Sequence, residues 1–476
     1  MKIENIAKNT SHFTLALILQ KVISLSYFII VARAVGPEDL GKYYFAISFT
    51  TIFAIFIDVG MTSVLVREVA RRAYQAERYI RATLGLKIAL TFLSFVTVAA
   101  LINIMGYPQL TKDLVYLSSA AMILDSFTLT FFGVSRGLHN LKFESVAVVI
   151  YQLLALILGT AALQAGLSLR WLMASMVAAS VANFLYAGTL IVVKWKFSIR
   201  PSFDVKLFKR IIALALPFAL FGIFQRLYTY FDSILLSLLA GDTSVGLYSV
   251  AFKITFALQF LPLAFVASLY PAMSAYYAHD KQKLGDMFER AMNYLIIIAL
   301  PISFGIIILA DKIITIFKAG YAGSILPLQI IVASLFFIFT AYPIGSLLNA
   351  CDRQRINSIN MAIALGVSIA CNLVLIPRYQ AVGASITVLF TSVLLLALGM
   401  AQVSKLITYN YKTIGRVLGK SLVAVAAMSA GLLYVEKTLP IMVIIPLGGA
   451  VYFSLLYFIG GYSRADLISI AKSFRM

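Results

Sequence analysis

Two cations in this sequence stand where cations are rare. Lys21 follows Gln20, and Arg226 follows Gln225, each inside a long apolar run. A guanidinium offers a planar fork of donors that fits a phosphate bidentately, whereas an ammonium supplies a compact point charge. Two such groups facing one cavity repel each other unless an anion lies between them. The chemistry they suit is recognition of phosphate or diphosphate, with Gln20 and Gln225 as neutral partners. The other arrangement open to them is a pair of separate ion pairs, such as Lys21 with Asp58 and Arg226 with Asp232. Five more charges fall at similar depth: Asp58, Lys87, Asp125, Asp232 and Lys253. A charge near the centre of a membrane helix costs roughly 2.5–3.5 kcal/mol on insertion scales, so each is expected to face protein or water. Asp58, Asp125, Asp232 and Lys253 are therefore candidates either for coupling to a proton or sodium ion or for ion pairs between helices. Asp232 comes six residues after Arg226, off its helical face, and has Lys253 on the next span as a further candidate partner.

The elements that position these residues must be membrane helices. Hydrophobic residues make up 61% of the 476-residue chain and charged residues 12%, with a mean hydropathy of +0.94. Soluble domains are about one-quarter charged. A helix needs about 20 apolar residues to cross the hydrocarbon. Windows of that size mark fourteen spans, six before the basic stretch at 194–210 and eight after it. The excess of 39 Lys+Arg over 19 Asp+Glu reads as topology, not as nucleic-acid binding. Twenty-six of those cations collect in alternate loops, against eight in the intervening ones, when the N-terminus is placed inside. The expectation is a multi-pass protein of the inner (cytoplasmic) membrane with both termini cytoplasmic. Ala32-Arg33-Ala34 has the look of a signal-peptidase site, but the preceding span is too long and is interrupted by Gln20-Lys21. Cys351 and Cys371 form no disulfide or zinc spacing, and His12, His139 and His279 read as interface residues, so no metal or cofactor is expected. No Gly-Lys-Ser/Thr phosphate loop is present, which argues against direct ATP hydrolysis.

An internal repeat organises the chain. Gln20-Lys21…Gly36…Gly41…Tyr43…Ala46 recurs as Gln225-Arg226…Gly241…Gly246…Tyr248…Ala251, every position displaced by 205 without a gap. Six spans separate the copies, so both run in the same direction. The expected fold is all-α: two parallel-repeat six-helix lobes around a central cavity, plus two C-terminal helices. The domains are 1–204, an N-terminal lobe with its basic linker; 205–405, a second lobe; and 406–476, helices 13 and 14 with a cytoplasmic tail. Gly36, Gly41, Gly241 and Gly246 are expected to form hairpin hinges on the outer side, with each tyrosine at interfacial depth. The segment Tyr277–Arg290 reads as an amphipathic helix on the cytoplasmic surface.

Several stretches resemble the Wzx-type polysaccharide transporter, or O-antigen flippase, branch of the multidrug/oligosaccharidyl-lipid/polysaccharide exporter superfamily. They are Ala32-Arg-Ala-Val-Gly-Pro-Glu-Asp-Leu-Gly41-Lys-Tyr43, Asp58-Val-Gly60 through Arg71, Ala215-Leu-Pro217-Phe, Asp232-Ser-Ile-Leu-Leu, Gly241 to Tyr248, and Asn372 to Ala384 with Pro377 and Gly383. The resemblance covers residues 5–400. It implies a V-shaped pair of lobes whose first helices line a cavity. It also implies a polyprenyl diphosphate-linked oligosaccharide or polysaccharide repeat unit as the substrate, moved from inner to outer leaflet by alternating access. Lys21 and Arg226 would then hold the diphosphate-sugar head while the prenyl tail stays among membrane lipid. The rivals are a cation-coupled multidrug exporter or another lipid flippase of the same superfamily. A membrane glycosyltransferase or polymerase is a further rival, but the outer loops are short for an enzyme.

Overall fold

The computed structural model describes residues 3–462, and side chains from residue 13 onward apart from 217–218 and 267–268; residues 463–476 of the third expected domain and the side chain of His12 lie outside this range. Every regular element among the described residues is helical. The α-helices are α1 (Ile3–Asp58), α2 (Met61–Arg71), α3 (Ala76–Ile104), α4 (Gln109–Gly137), α5 (Lys142–Gln164), α6 (Leu169–Thr189) and α7 (Val205–Leu258). They continue with α8 (Phe260–His279), α9 (Lys281–Ile308), α10 (Ala310–Thr315), α11 (Ile325–Ala350), α12 (Gln354–Leu406), α13 (Tyr411–Val435) and α14 (Ile441–Phe458). Among the described residues, eleven stretches are long and apolar enough to cross a membrane. Three of these, in α1, α7 and α12, each contain one residue of non-helical backbone, at Gly36, Gly241 and Gln380.

These breaks fold the chain back on itself. The rings of Phe28 and Tyr44 meet at 5.3 Å, although they lie equally far on either side of Gly36. Sixteen residues of unbroken helix would hold them about 24 Å apart. At the third break, a Cβ on Gly383 would come within 2.4 Å of the Leu375 carbonyl oxygen, again possible only if the chain reverses between them. α1 and α12 are thus each two helical segments joined by a one-residue turn, and α7 carries the same backbone angles at Gly241 as α1 does at Gly36.

The chain divides into two compact units, Met1–Gly246 and Leu247–Met476. The division at 204/205 follows the sequence repeat, whereas these units follow packing. In the first unit α4 touches α1, α2, α3, α5 and α6. The start of α7 is built into its core: Leu207, Ile211 and Ala215 pack in one cluster with Met61, Tyr79 and Phe131. The basic linker is also held down. Ser202 N–H donates to the Arg81 carbonyl at 2.9 Å, Arg81 Nε donates to the Arg200 carbonyl at 3.0 Å, and Arg78 meets Asp204 at 3.3 Å. Asp204 accepts from Leu207 N–H at 3.1 Å, and that bond, with Arg78 beside it, holds its carboxyl below the usual carboxylate range.

The structure departs from the expected boundaries in two places. Apolar sequence runs on to Val66, which would extend the second span that far, but the backbone turns left-handed at Val59 and Gly60, and residues 61–71 form the separate helix α2. The amphipathic pattern of α2 explains this: Met61, Val64, Leu65 and Val69 are buried, while Arg71 and Arg72 are exposed. Tyr277–Arg290 is likewise not one surface helix. The chain breaks at Asp280, whose side chain caps α9 by accepting from Lys283 N–H at 3.0 Å.

In the second unit α9 touches α8, α11, α13 and α14, and α11 packs against α12. The docking of α14 has an identifiable cause. Pro301 inside α9 has no N–H, which leaves the carbonyl of Ile297 without its helical donor. Tyr452 of α14, fully buried, donates its hydroxyl to that carbonyl at 3.0 Å. Ile296, Leu300, Val425, Met428 and Ile444 pack around the contact.

Candidate substrate site

Arg226 and Lys21 are both half-buried, on α7 and α1. The guanidinium of Arg226 reaches across to α1, where Nη1 donates to the carbonyl of Thr51 at 3.3 Å. One turn earlier on α7, a Cβ at Gly222 would lie 3.1 Å from Ile55, one turn beyond Thr51 on α1. The faces of α7 and α1 therefore meet in register, and a small residue at 222 lets them approach. A guanidinium has five donors, and a single long bond to a helix carbonyl leaves most of its fork available to an anion. Gln225, beside it, is exposed; Gln20 and Lys21 occupy the repeat-equivalent positions on α1, both half-buried.

The remaining deep charges separate into distinct settings. Asp58 ends α1 and takes Lys87 of α3 as its partner at 2.8 Å; the lysine side chain is 0% exposed and the aspartate 15%. Thr62 Oγ1 donates to the same carboxylate at 2.5 Å, and Lys87 also donates to the Ser126 carbonyl at 2.7 Å. This cluster ties α1, α2, α3 and α4 together, a joining role more than a transport one. Arg136 and Glu144 form a second pair between α4 and α5, with Nε to Oε2 at 2.8 Å. Asp125 stands on α4 beside Ser180 of α6. Asp232 is buried on α7, and Lys253 is half-buried in the second unit. Among the described residues no group of three His, Cys, Asp or Glu side chains is placed to hold a metal. His139 follows α4 in a left-handed conformation, and His279 ends α8.

The four repeat glycines do two different jobs. Gly36 (φ 78, ψ 172) and Gly241 (φ 79, ψ 171) make the same turn, in a region of backbone space that is essentially glycine-only. A Cβ there would meet nothing within 4 Å, so the need is conformational. Gly41 and Gly246 are helical, and their need is space. A Cβ on Gly41 would lie 1.8 Å from the Asp242 carbonyl oxygen, and one on Gly246 would lie 1.8 Å from that of Pro37. These two contacts exchange under the same displacement of 205, so the hairpin tips touch reciprocally, backbone to backbone. Around them Lys42 binds Glu38 at 2.7 Å and Asp39 at 3.2 Å, and Tyr107 donates to Ser237, which donates to Asp242. Tyr43 and Tyr248, expected at interfacial depth, are 2% and 1% exposed and packed inside protein.

A profile described as polysaccharide biosynthesis protein matches residues 6–277, a stretch that holds both copies of the hairpin, Lys21 and Arg226. The chain belongs to this family. A second profile, MatE, matches residues 217–374. The capsular polysaccharide biosynthesis protein CapF of Staphylococcus aureus is 22% identical over 387 residues, covering 80% of this chain and 95% of that one. The probable low-salt glycan biosynthesis flippase Agl15 of Haloferax volcanii is 22% identical over 420 residues, covering 86% and 85%. Among solved structures, the lipid II flippase MurJ in an inward closed conformation aligns with a TM-score of 0.78 at 16% identity, over 96% of this chain and 99% of that one. An inward-facing multidrug resistance MATE transporter aligns at 0.66 and 16% identity, over 81% and 95%. The family's fold is the one these transporters share: all-helical and multi-pass in the membrane.

Sequence reasoning had named Asp58 and Lys87 without pairing them. The spacing Asp58-x-x-x-Thr62 carried part of that signal, since it suits a carboxylate and its cap. Nothing in the sequence brought Lys87 to it, because that contact crosses between helices. Ser126, Tyr107 and Ser237 went unnoticed for the same reason.

Proposed function

We propose that the protein is a flippase that carries a lipid-linked oligosaccharide or polysaccharide repeat unit, held by a polyprenyl diphosphate, from the inner to the outer leaflet. The observation that carries this reading is the cation pair. Lys21 and Arg226 sit at matched positions of the repeat, deep in apolar helices and only half-buried. An anionic headgroup with a flexible lipid tail suits such a site: the head pairs with the cations, and the tail stays in hydrocarbon, where each buried methylene contributes about 0.8 kcal/mol. The names and family of the relatives support the same substrate class. Gln20 and Gln225 would hydrogen-bond the sugar or phosphate oxygens. Movement would be alternating access, with Gly36, Gly41, Gly241 and Gly246 at the hairpins that part and close. The asymmetry of positive charge supports a cytoplasmic-membrane protein with both termini in the cytoplasm. Coupling to a proton or sodium gradient would use one of the intramembrane carboxylates.

A second reading, a cation-coupled multidrug exporter, is favoured by the MatE match over residues 217–374. Pumps for cationic drugs want acidic walls, and Lys21 and Arg226 oppose that. The test is leaflet exchange of a labelled polyprenyl-diphosphate oligosaccharide in liposomes, with Lys21→Ala and Arg226→Ala beside the wild type. Exchange lost in either variant, with the fold intact, supports both function and site. Exchange that survives both changes removes the site assignment, and efflux of cationic drugs with no exchange of several such lipids moves the protein to the second reading.

A further inference from the structure

Two stretches of the first unit, 67–81 and 194–210, hold eleven cations and three carboxylates between them. Folding brings them together over one apolar core. Val69 of α2, Tyr79 of α3, Ile191 just beyond α6, and Leu207 and Ile211 of α7 belong to a single buried cluster, with Trp195 packed against it. The linker is seated on α3 as well as bonded to it, since a Cβ at Gly85 would lie 2.3 Å from the Ser202 carbonyl oxygen. The two stretches therefore form one surface with a defined backbone. Its carboxylates are already used. Glu68 is 5% exposed and accepts from the Tyr79 hydroxyl at 3.1 Å. Glu77 faces Arg81 at 3.9 Å, and Asp204 faces Arg78 at 3.3 Å. Arg71, Arg72, Lys196, Arg200, Lys209 and Arg210 are exposed and, among the described residues, belong to no ion pair.

The side chains between these cations constrain what can cover them. Val193, Phe203 and Val205 are 69%, 66% and 61% exposed. Cations interleaved with exposed apolar side chains suit an amphiphile with an anionic head. Nucleic acid or an acidic protein face would answer the charges and leave Phe203 and the two valines without an apolar partner. The position of the surface agrees. The membrane-length stretch Ala73–Ile104 begins at it and Leu169–Lys194 ends at it, which puts it at headgroup depth whichever way the chain is inserted.

We propose that this surface is a binding site for anionic phospholipids, whose phosphates pair with Arg72, Arg200 and Arg210 while their acyl chains lie against Val193, Phe203 and Val205. A lipid held there bridges α2, the linker and the start of α7. The site does not rest on the flippase reading, so its test needs no transport. The chain carries its own probe: of its two tryptophans, Trp195 sits in the linker between Lys194 and Lys196, and Trp171 lies in the first turn of α6, at the far end of that helix. The full chain carrying Trp171→Phe is placed in phosphatidylcholine nanodiscs, and brominated lipids are titrated in as quenchers. Brominated phosphatidylglycerol should quench Trp195 at a lower mole fraction than brominated phosphatidylcholine. Each cation near an anionic surface is worth about fivefold in binding, so Arg72→Gln, Arg200→Gln and Arg210→Gln together should cut the preference by at least about tenfold. Arg200→Gln alone, at an exposed site, is the milder variant and should cut it about fivefold. Arg353→Gln with Arg355→Gln removes two exposed cations from the second unit and should leave the preference as in the wild type. Wild-type thermal unfolding of each variant shows that it is folded. Equal quenching by the two lipids, or a preference kept when the three arginines are replaced, overturns the proposal. The same loss on replacing Arg353 and Arg355 also overturns it, because charge anywhere on the protein would then suffice. Displacement of the brominated phosphatidylglycerol by polyglutamate at constant ionic strength overturns it in favour of an acidic protein partner, and displacement by inorganic phosphate overturns it in favour of a soluble anion.

Discussion

Replacing Gly41 or Gly246 by alanine sets two effects of opposite sign against each other. Both residues lie in helical backbone, where glycine-to-alanine ordinarily stabilises by about 0.8–1 kcal/mol. Here the added Cβ would sit 1.8 Å from a carbonyl oxygen of the opposite hairpin, whereas ordinary contact begins at 3.4 Å. The obstacle is backbone at both sites, so no side-chain rotation can relieve it, and the hairpins must part by about 1.6 Å. Overpacking of this kind costs about 1–3 kcal/mol, which exceeds the propensity gain and makes each variant less stable than wild type. The reciprocity of the contact adds a sharper expectation. Gly41→Ala and Gly246→Ala should cost nearly the same, and the double variant little more than either single, because the first Cβ has already separated the tips. Gly431→Ala, where a Cβ meets nothing within 4 Å, is the control and should stabilise. Thermal unfolding in detergent, followed by a dye that reacts with the buried thiol of Cys351 as it becomes exposed, measures all four. Additive costs, unequal costs, or stabilisation by Gly41→Ala would refute the reciprocal contact.

The same assay tests the buried charge cluster. Lys87→Met should cost about 3–5 kcal/mol, because it strands the Asp58 carboxylate, and adding Asp58→Asn should recover most of the loss. Tyr452→Phe should cost about 1–3 kcal/mol by leaving the Ile297 carbonyl unsatisfied in a buried site; an isoenergetic variant would mean that the hydroxyl does not substitute for the donor missing at Pro301. Arg78→Ala, by contrast, removes only an exposed pair with Asp204, and a change above about 1 kcal/mol would contradict the view that the linker is held by its backbone bonds to Arg81.

How much of this was legible in the sequence depended on whether the signal was local. Span existence, the apolar character of every helix and the gapless displacement of 205 follow from residue type and order, because lipid demands about 20 apolar residues per crossing wherever they lie. The glycines of the hairpins were legible as glycines, yet their division of labour was not. Gly36 and Gly241 are needed for backbone angles that only glycine adopts readily, a property of the residue itself. Gly41 and Gly246 are needed because another backbone arrives there, which only the fold decides. The break at Val59–Gly60 was missed because hydropathy runs on into α2, whose buried face looks like the end of a span. The break at Asp280 was missed because a short polar run reads as one surface helix until its cap is seen.

The candidate site divides along the same line. Sequence alone identified the cations Lys21 and Arg226, their equivalence and the anionic chemistry they suit, since charge in an apolar run is conspicuous whatever surrounds it. It could not say which charges are already answered. Asp58 and Lys87 neutralise each other across three helices, Arg226 reaches Thr51 on α1, and Asp125 is left among uncharged neighbours. Ion pairs and hydrogen bonds act over a few ångströms, and residues dozens of positions apart come within that range only when the helices pack. Composition and repeat therefore determined the solvent, the helices and the matched pair of cations. Tertiary packing decided which of these charges pair with each other, as Asp58 does with Lys87.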